Sequence, residues 1–276
     1  QNLPSVVTTK TLTVSQNNLD PAFANAKAGE STLSILYQQD GLSFLVRHTT
    51  TRQIYLFGFH PRASWGENPI ADVLAGFQEL PGEVLYAIEA PHTVLIPEIM
   101  SGGEVPDWTA TALGQKANFM DLSSSNSMTF LSYLNESDFR FSQSDTLVCR
   151  HNWAIQLERI KPTSSPKLWV HVYADSIQVF AGSANKWQVI NSFPCSNESE
   201  LLYHLGNVSE QLGWDRAATV VELSGYSARA YKPVIEPYFS SVQLFKIQQW
   251  AKISSALSDF DAVAFANLLR LCSCLW

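Results

Sequence analysis

Residues 167–182 read KLWVHVYADSIQVFAG, and the interpretation of the fold starts there. Asp175 and Ser176 are the only strong turn formers in the run. A two-residue turn on them predicts a hairpin with Ala174 opposite Ile177, Val172 opposite Val179 and Val170 opposite Ala181. Those six side chains then share one face, which reads as core. The other face carries Trp169, His171, Tyr173, Gln178 and Phe180, a mixed surface either covered by a helix or left partly wet.

The same pattern occurs 135 residues earlier. LSILYQQDGLSFLV (residues 33–46) places Asp40-Gly41 as a tight turn with φ > 0, and Ile35, Tyr37, Leu42, Phe44 and Val46 make the matching face. A third strand follows each hairpin, QIYLFGF at 53–59 and WQVINSF at 187–193, and then a helical signal. Two readings account for this: an internal duplication, or two ordinary, unrelated hairpins.

Composition narrows the function classes. The 276 residues are 46% hydrophobic and 16% charged, enough for one large or two smaller cores. Eight Trp, nine Tyr and fifteen Phe suit cores and seams more than a ligand lining. A net charge of −7, with 18 scattered Lys and Arg, argues against nucleic acid as a partner. No apolar run of about 18 residues predicts direct membrane insertion, and QNLPSVVTTK lacks the pattern of a signal peptide, so the expected location is cytoplasmic. Cys149 and Cys195 stand alone, while Cys272 and Cys274 lie in an apolar terminal helix. Reduced, buried thiols are expected, because no second cysteine pair or histidine cluster completes a metal set for Cys-x-Cys.

Along the chain, 1–30 reads as an N-terminal arm, 31–160 as a first subdomain and 161–276 as a second. Asn68-Pro69 opens a helix running to about Leu80, with Ile70, Val73, Leu74 and Phe77 on one stripe. EVLYAIEA and HTVLIP read as neighbouring strands of a buried sheet. ATALGQKANFM reads as a weak helix, SSSNS as a linker, MTFLSYL as a strand, and DTLVCRHNWAIQLERIK as a helix. Residues 98–125 are where a binding loop would sit. Asn197 opens a helix through Gly213, with Glu200 placed as in a capping box; ATVVELSG is a buried strand, YKPVIEPYF a helix opened by proline, and VQLFKI a strand. Gln249–Leu271 gives one or two final helices carrying Phe260, Val263, Phe265 and Leu268.

Strand-strand-strand-helix-strand-helix-strand, twice, is the order of the ribonuclease H-like unit, and its duplication is the plan of actin-like ATPases. The stretches LSILYQQDGLSFLV, VLYAIEAPHTVLIPEIM, WQVINSFPCSNESELLYHL and VVELSGY resemble a bacterial domain-of-unknown-function family, number 3822, over roughly residues 10 to 270. That resemblance implies an α/β actin-like ATPase fold of two similar subdomains, each with a mixed five-stranded sheet flanked by helices. The cytoplasmic domains of type II secretion and type IV pilus assembly proteins are more distantly similar.

Actin-like ATPases need an Asp at the end of the first strand of each half to place Mg²⁺ and water, with glycines in the next turn to cradle phosphate. SILYQQ and LWVHVYA contain no carboxylate, and hairpin geometry alone explains Asp40 and Asp175. Gly41 stands alone in the first turn, Ser176 replaces any glycine in the second, and Ser224-Gly225 stands where paired glycines usually contact adenosine. A ribonuclease H-like nuclease would miss the same strand-one acid. His48, His60, His92, His151, His171 and His204 are spread one per element, which suits core or surface roles.

The expectation is therefore a non-catalytic actin-like scaffold or protein-interaction module that binds a protein partner or itself. No catalytic, cofactor or metal residue can be named for it. From the enzyme class, the alternative is a divergent ATPase or sugar-kinase-like enzyme that places its metal from unusual positions. Small-molecule binding in a cleft between the halves is a third reading.

Overall fold

The computed structural model describes residues 20, 28–38, 40–65, 69–75, 82–90, 92–97, 110–111, 117, 119–123, 128–134, 149–247, 250–253, 255–257 and 260–273. The chain divides into two units. One comprises Gln1–Ile155, Ala251–Phe260 and Leu271–Trp276; the other comprises Gln156–Trp250 and Asp261–Arg270.

In the first unit, β1 (Ser31–Tyr37), β2 (Gly41–His48) and β3 (Gln53–Pro61) form an antiparallel meander. α1 (Pro69–Ala75) leads to β4 (Glu83–Ile88), which pairs parallel with β1. β5 (His92–Pro97), β6 (Phe119–Ser123) and β7 (Met128–Tyr133) form a separate three-stranded sheet in the order β5-β7-β6. β8 (Cys149–His151) then returns to pair parallel with β4, and α2 (Asn152–Arg159) follows. The core of the unit is built from Leu33, Ile35, Tyr37, Leu42, Phe44, Val46 and Tyr86 with Ile70 and Val73 of α1.

The second unit repeats this strand order. β9 (Lys167–Val172), β10 (Ser176–Ser183) and β11 (Lys186–Pro194) form a meander, α3 (Glu198–Gln211) precedes β12 (Val220–Gly225), and α4 (Ala228–Ile235) precedes β13 (Ser241–Leu244). The sheet order is β11-β10-β9-β12-β13, matching β3-β2-β1-β4-β8 strand for strand. Where the second unit crosses directly through α4, the first inserts its three-stranded sheet. The first sheet also gains β14 (Lys252–Ile253), which pairs parallel with β3. α5 (Ala266–Cys272) is the last helix of the described residues.

The hairpin registers correct the expected turns. Val172 pairs with Ile177 and the Tyr173 N–H donates to Ser176 O, so the turn residues are Ala174 and Asp175. Moving the turn by one residue shifts each pairing by two and preserves parity, so Val170, Val172, Ile177, Val179 and Ala181 all remain in the core. Ala174 is exposed instead, and Leu168 opposite Ala181 takes the inner place. In the first hairpin Tyr37 pairs with Leu42, and Gln38 and Gly41 exchange backbone bonds across the turn, so Gly41 begins β2 rather than sitting in the turn.

Other expectations change locally. EVLYAIEA and HTVLIP are not neighbours, because β4 pairs with β1 and β8 while β5 pairs with β7. The expected helix over DTLVCRHNWAIQLERIK begins only at Asn152, since Cys149–His151 is drawn into the parallel sheet. Phe119–Ser123 is a strand, not the end of a helix and the start of a linker. Pro233 lies inside α4, which opens at Ala228, and Lys252–Ile253 is extended where a helix was expected. Residues 76–80 of the first predicted helix, and most of 98–118, lie outside the described residues.

α3 shows why its ends are legible. Asn197 Oδ1 accepts from the Glu200 N–H at 3.0 Å, and Glu200 reaches back to the Ser196 N–H at 2.7 Å. At the other end Gly213, at φ 66°, lets the Trp214 N–H donate to Ser209 O at 2.8 Å.

Candidate functional site

The two hairpin turns are where an actin-like fold would hold phosphate, so their geometry comes first. At the first turn Gln38 is buried and accepts from Ser43 Oγ at 2.7 Å, while Asp40 O accepts from the Arg62 N–H. Arg62 lies over the Trp65 ring at 5.3 Å, and Trp65 Nε1–H donates to His60 O at 3.0 Å. A Cβ on Gly41 would stand 2.5 Å from His60 O and 2.6 Å from the Phe59 ring, so the missing side chain admits β3. At the second turn Asp175 is exposed and its carbonyl accepts from the Cys195 N–H.

Ser224-Gly225 is likewise committed inward. Gly225 has φ 99°, and a Cβ there would meet Val172 O at 2.0 Å. Ser224 Oγ donates to Val170 O at 3.3 Å and sits 2.9 Å from His171 Nδ1. With the Ser224 proton on Val170 O, His171 Nδ1–H is the donor and Nε2 is left bare. No partner meets Nε2. Burial first, and then the Arg270 charge, push the His171 imidazole down to about 3, so it is neutral.

Beyond His171 a polar strip crosses the second face of this sheet. Tyr173 Oη accepts from Asn267 Nδ2 at 2.9 Å, and Arg270 donates to Gln156 Oε1 at 3.0 Å, Asn267 Oδ1 at 3.3 Å and Glu222 Oε1 at 3.1 Å. Lys167 Nζ donates to the other Glu222 oxygen at 2.9 Å and lies over Trp169. Asn267 and Arg270 come from α5, so of the two expectations for this face, covered or wet, it is covered.

The first unit has its own cluster, which sequence reading missed. Asp121 on β6 accepts Arg150 Nε–H at 2.9 and 3.0 Å and the His151 N–H at 2.7 Å. His151 is fully buried and stacks on Phe130. Its Nδ1 accepts from the Trp153 N–H at 3.1 Å, which puts the ring proton on Nε2, 3.0 Å from Thr93 Oγ1. Thr93 in turn donates to Ala90 O and accepts from Ser132 Oγ. Thr93 and His151 resemble a nucleophile and its base, but in this tautomer the imidazole donates and cannot take the hydroxyl proton. Burial, and then Arg150, hold His151 down to about 3. Glu89, just past β4, is gripped by Trp153 Nε1–H at 2.8 Å and by Asn152 Nδ2. The alternation in FMDLS around Asp121 is the one sequence signal for this cluster, and its five residues are too short to outweigh the helix-like run before them.

The remaining histidines are local. His48 Nδ1 accepts from the Thr50 and Thr51 N–H groups, and His204 Nε2 lies 2.9 Å from Pro194 O. The His92 side chain lies outside the described residues. Cys149, Cys195 and Cys272 are free thiols, and burial raises the first two. Among the described residues no three His, Cys, Asp or Glu side chains converge as a metal set, and no helix is long and apolar enough to cross a membrane.

Comparison with known proteins agrees with this architecture. No curated protein matches the sequence. A crystal structure from Bacteroides thetaiotaomicron VPI-5482, described as a protein with actin-like ATPase fold and unknown function, is similar with a TM-score of 0.67 and 15% identity, covering 90% of this chain and 97% of that one. The PilM-PilN type IV pilus biogenesis complex is similar with a TM-score of 0.59 and 10% identity, covering 89% of this chain and 98% of that one. These likenesses and the two matching sheet orders identify an actin-like ATPase fold, in a chain whose residues 129–242 match the family Protein of unknown function (DUF3822).

Proposed function

We propose that the chain is a non-catalytic actin-like module that binds a protein partner or a second copy of itself. One observation carries this reading: the positions that would handle nucleotide are occupied by contacts within each unit. β1 (STLSILY) and β9 (KLWVHV) carry no acid, Gly41 makes room for His60 O, and Gly225 makes room for Val172 O. Ser224 is buried against Val170 and His171. A chain of this fold is known in the PilM-PilN complex, which supports a protein partner by analogy. The shared strand order supports an internal duplication whose copies begin near residues 31 and 161, with Ala251–Phe260 and Leu271–Trp276 returning to the first unit, and the free thiols suit a cytoplasmic setting.

Calorimetry with Mg-ATP tests the reading. No heat of binding and no nucleotide-dependent rise in melting temperature are expected. Micromolar affinity would replace this reading with the divergent ATP-binding enzyme. Light scattering across a concentration series then separates self-association from a foreign partner.

A further inference from the structure

β3 and β11 are the matching outer strands of the two sheets, and their free sides differ. Both are nine residues long, Gln53–Pro61 and Lys186–Pro194. Each carries its bulge at the third residue, since Tyr55 and Gln188 have no opposite number on the neighbouring strand. The outer side of β3 is met by other segments: Lys252 N–H donates to Arg52 O at 2.9 Å, β14 pairs with Gln53 and Ile54, and Asp20 N–H donates to Tyr55 O at 2.7 Å. Among the described residues no strand pairs with the outer side of β11.

The bonds at the turn fix which backbone groups are left outward. Tyr173 N–H donates to Ser176 O and Cys195 N–H to Asp175 O, so Val189, Asn191 and Phe193 turn their N–H and C=O groups toward β10. Ile190 and Ser192 turn theirs outward. The Ser192 N–H is met by the Asn191 side chain at 2.9 Å, and the Ile190 groups by nothing among the described residues. Val189 and Phe193 are half-buried against the core on the α3 side, and Ile190 is half-buried on the other face. No residue from Trp187 to Phe193 is charged. Lys186, the bulge and Pro194 blunt the ends of this edge and leave its centre as a template for another strand.

The two ends carry opposite charge. Lys186 is exposed at the start of β11. At its finish stand Asp175, exposed in the adjoining turn, and Glu198 and Glu200 in the first turn of α3. An antiparallel copy of the same strand complements that pattern at both ends. We propose that β11 is a homodimerisation edge, which pairs antiparallel with β11 of a second copy of this chain about a two-fold axis at Asn191. Ile190 of each copy then exchanges backbone bonds with Ser192 of the other, Val189 lies across from Phe193, and each Lys186 comes to the other copy's acidic end. The proposal rests on the reading of the chain as an interaction module and gives that module its surface.

Sedimentation equilibrium of the full chain over a concentration series tests it, together with amide hydrogen exchange read residue by residue at low and high concentration. A monomer–dimer equilibrium is expected. The Ile190 and Ser192 amides should gain protection at high concentration, while Asn191, already in the β10 ladder, should not change. Ile190→Pro deletes one outward donor per copy and none of the β10 ladder, and should raise the dimer Kd by about tenfold or more. Lys186→Glu should weaken the dimer several-fold at low salt, a difference that shrinks at high salt. Should Ile190→Pro fail to fold, the exchange pattern of the wild type decides. A chain that stays monomeric, or a dimer whose Ile190 amide exchanges as in the monomer, would overturn the proposal and leave a foreign partner for the module. Mg-ATP binding would instead overturn the non-catalytic reading, whatever the oligomeric state.

Discussion

The second faces of the two sheets make a natural experiment, because equivalent strands carry different polar cargo. In the second unit Glu222 on β12 sits between Lys167 and Arg270, and α5 supplies Asn267 and Arg270 to close the strip. The cations there have an anion on the neighbouring strand and further acceptors from two helices. In the first unit the strand that matches β12 is β4, and Leu85 stands at the position matching Glu222. Glu83, two residues before Leu85, accepts from Thr32 Oγ1 rather than pairing with Arg47, which is as buried as the strand around it. A shared scaffold does not share its electrostatics. One sheet balances its buried charge internally, while the other carries a buried cation with no ion pair among the described residues.

Acid should strain both units, and by the largest margin. Among the described residues each holds a buried, neutral imidazole, His151 in the first and His171 in the second, both held down to about 3. Between that value and the unfolded value near 6.5, the unfolded chain binds protons that the folded chain does not. Stability is therefore fully present above about 6.5 and falls as pH drops toward 3, by about 1.4 kcal/mol per pH unit for each group. Urea midpoints measured from pH 7 to pH 4.5 should fall steeply. His171→Phe should remove about half of that slope while leaving the other half, which belongs to His151. A flat profile would show that neither ring is held neutral by the fold.

Next comes the pair of arginines, for which opposite signs are expected. Arg270→Met strips Gln156, Asn267 and Glu222 of a buried donor at once, and should cost about 3–5 kcal/mol. Arg47→Met removes a buried charge with no bond at Nε, and in a chloride buffer should be neutral or stabilising by about 1–3 kcal/mol. Equal losses in the two variants would break the comparison, because Arg47 would then have acceptors of its own. Chemical unfolding followed by tryptophan fluorescence measures both.

How much of this could be read from the chain depends on the range of the interaction. The alternation in β1, β2, β9 and β10 placed Ile35, Phe44, Val170 and Val179 in cores, since period two survives even the two-residue error in pairing. The Asn197 cap was legible because its partners lie within three residues. β8 was not, because Cys149–His151 is extended only through pairing with β4, some sixty residues earlier. The Asp121 cluster was hidden for the same reason: its members come from β5, β6, β7, β8, α2 and the segment after β4, and none signals the others locally. The resemblance to an actin-like fold was legible throughout, whereas nothing local in the sequence marks Arg47, which only the strand register puts on a buried face.

The smallest effect expected sharpens the same comparison inside the cores. Tyr86 on β4 pairs with Ile35, and the matching pair in the second sheet is Leu223 with Val170. Both positions are fully buried, but only one carries a hydroxyl, and no partner meets Tyr86 Oη. Burial raises that phenol well above its ordinary range, so it is protonated at neutral pH. A buried hydroxyl without an acceptor forfeits its hydration and gains nothing in return, while the ring around it packs as a phenylalanine would. Tyr86→Phe should therefore be neutral or stabilising by up to about 1 kcal/mol, seen as a higher urea midpoint with an unchanged m-value. A loss of that size would mean that Tyr86 Oη has a bound acceptor in solution, and that the first core, unlike the second, is built around a polar contact.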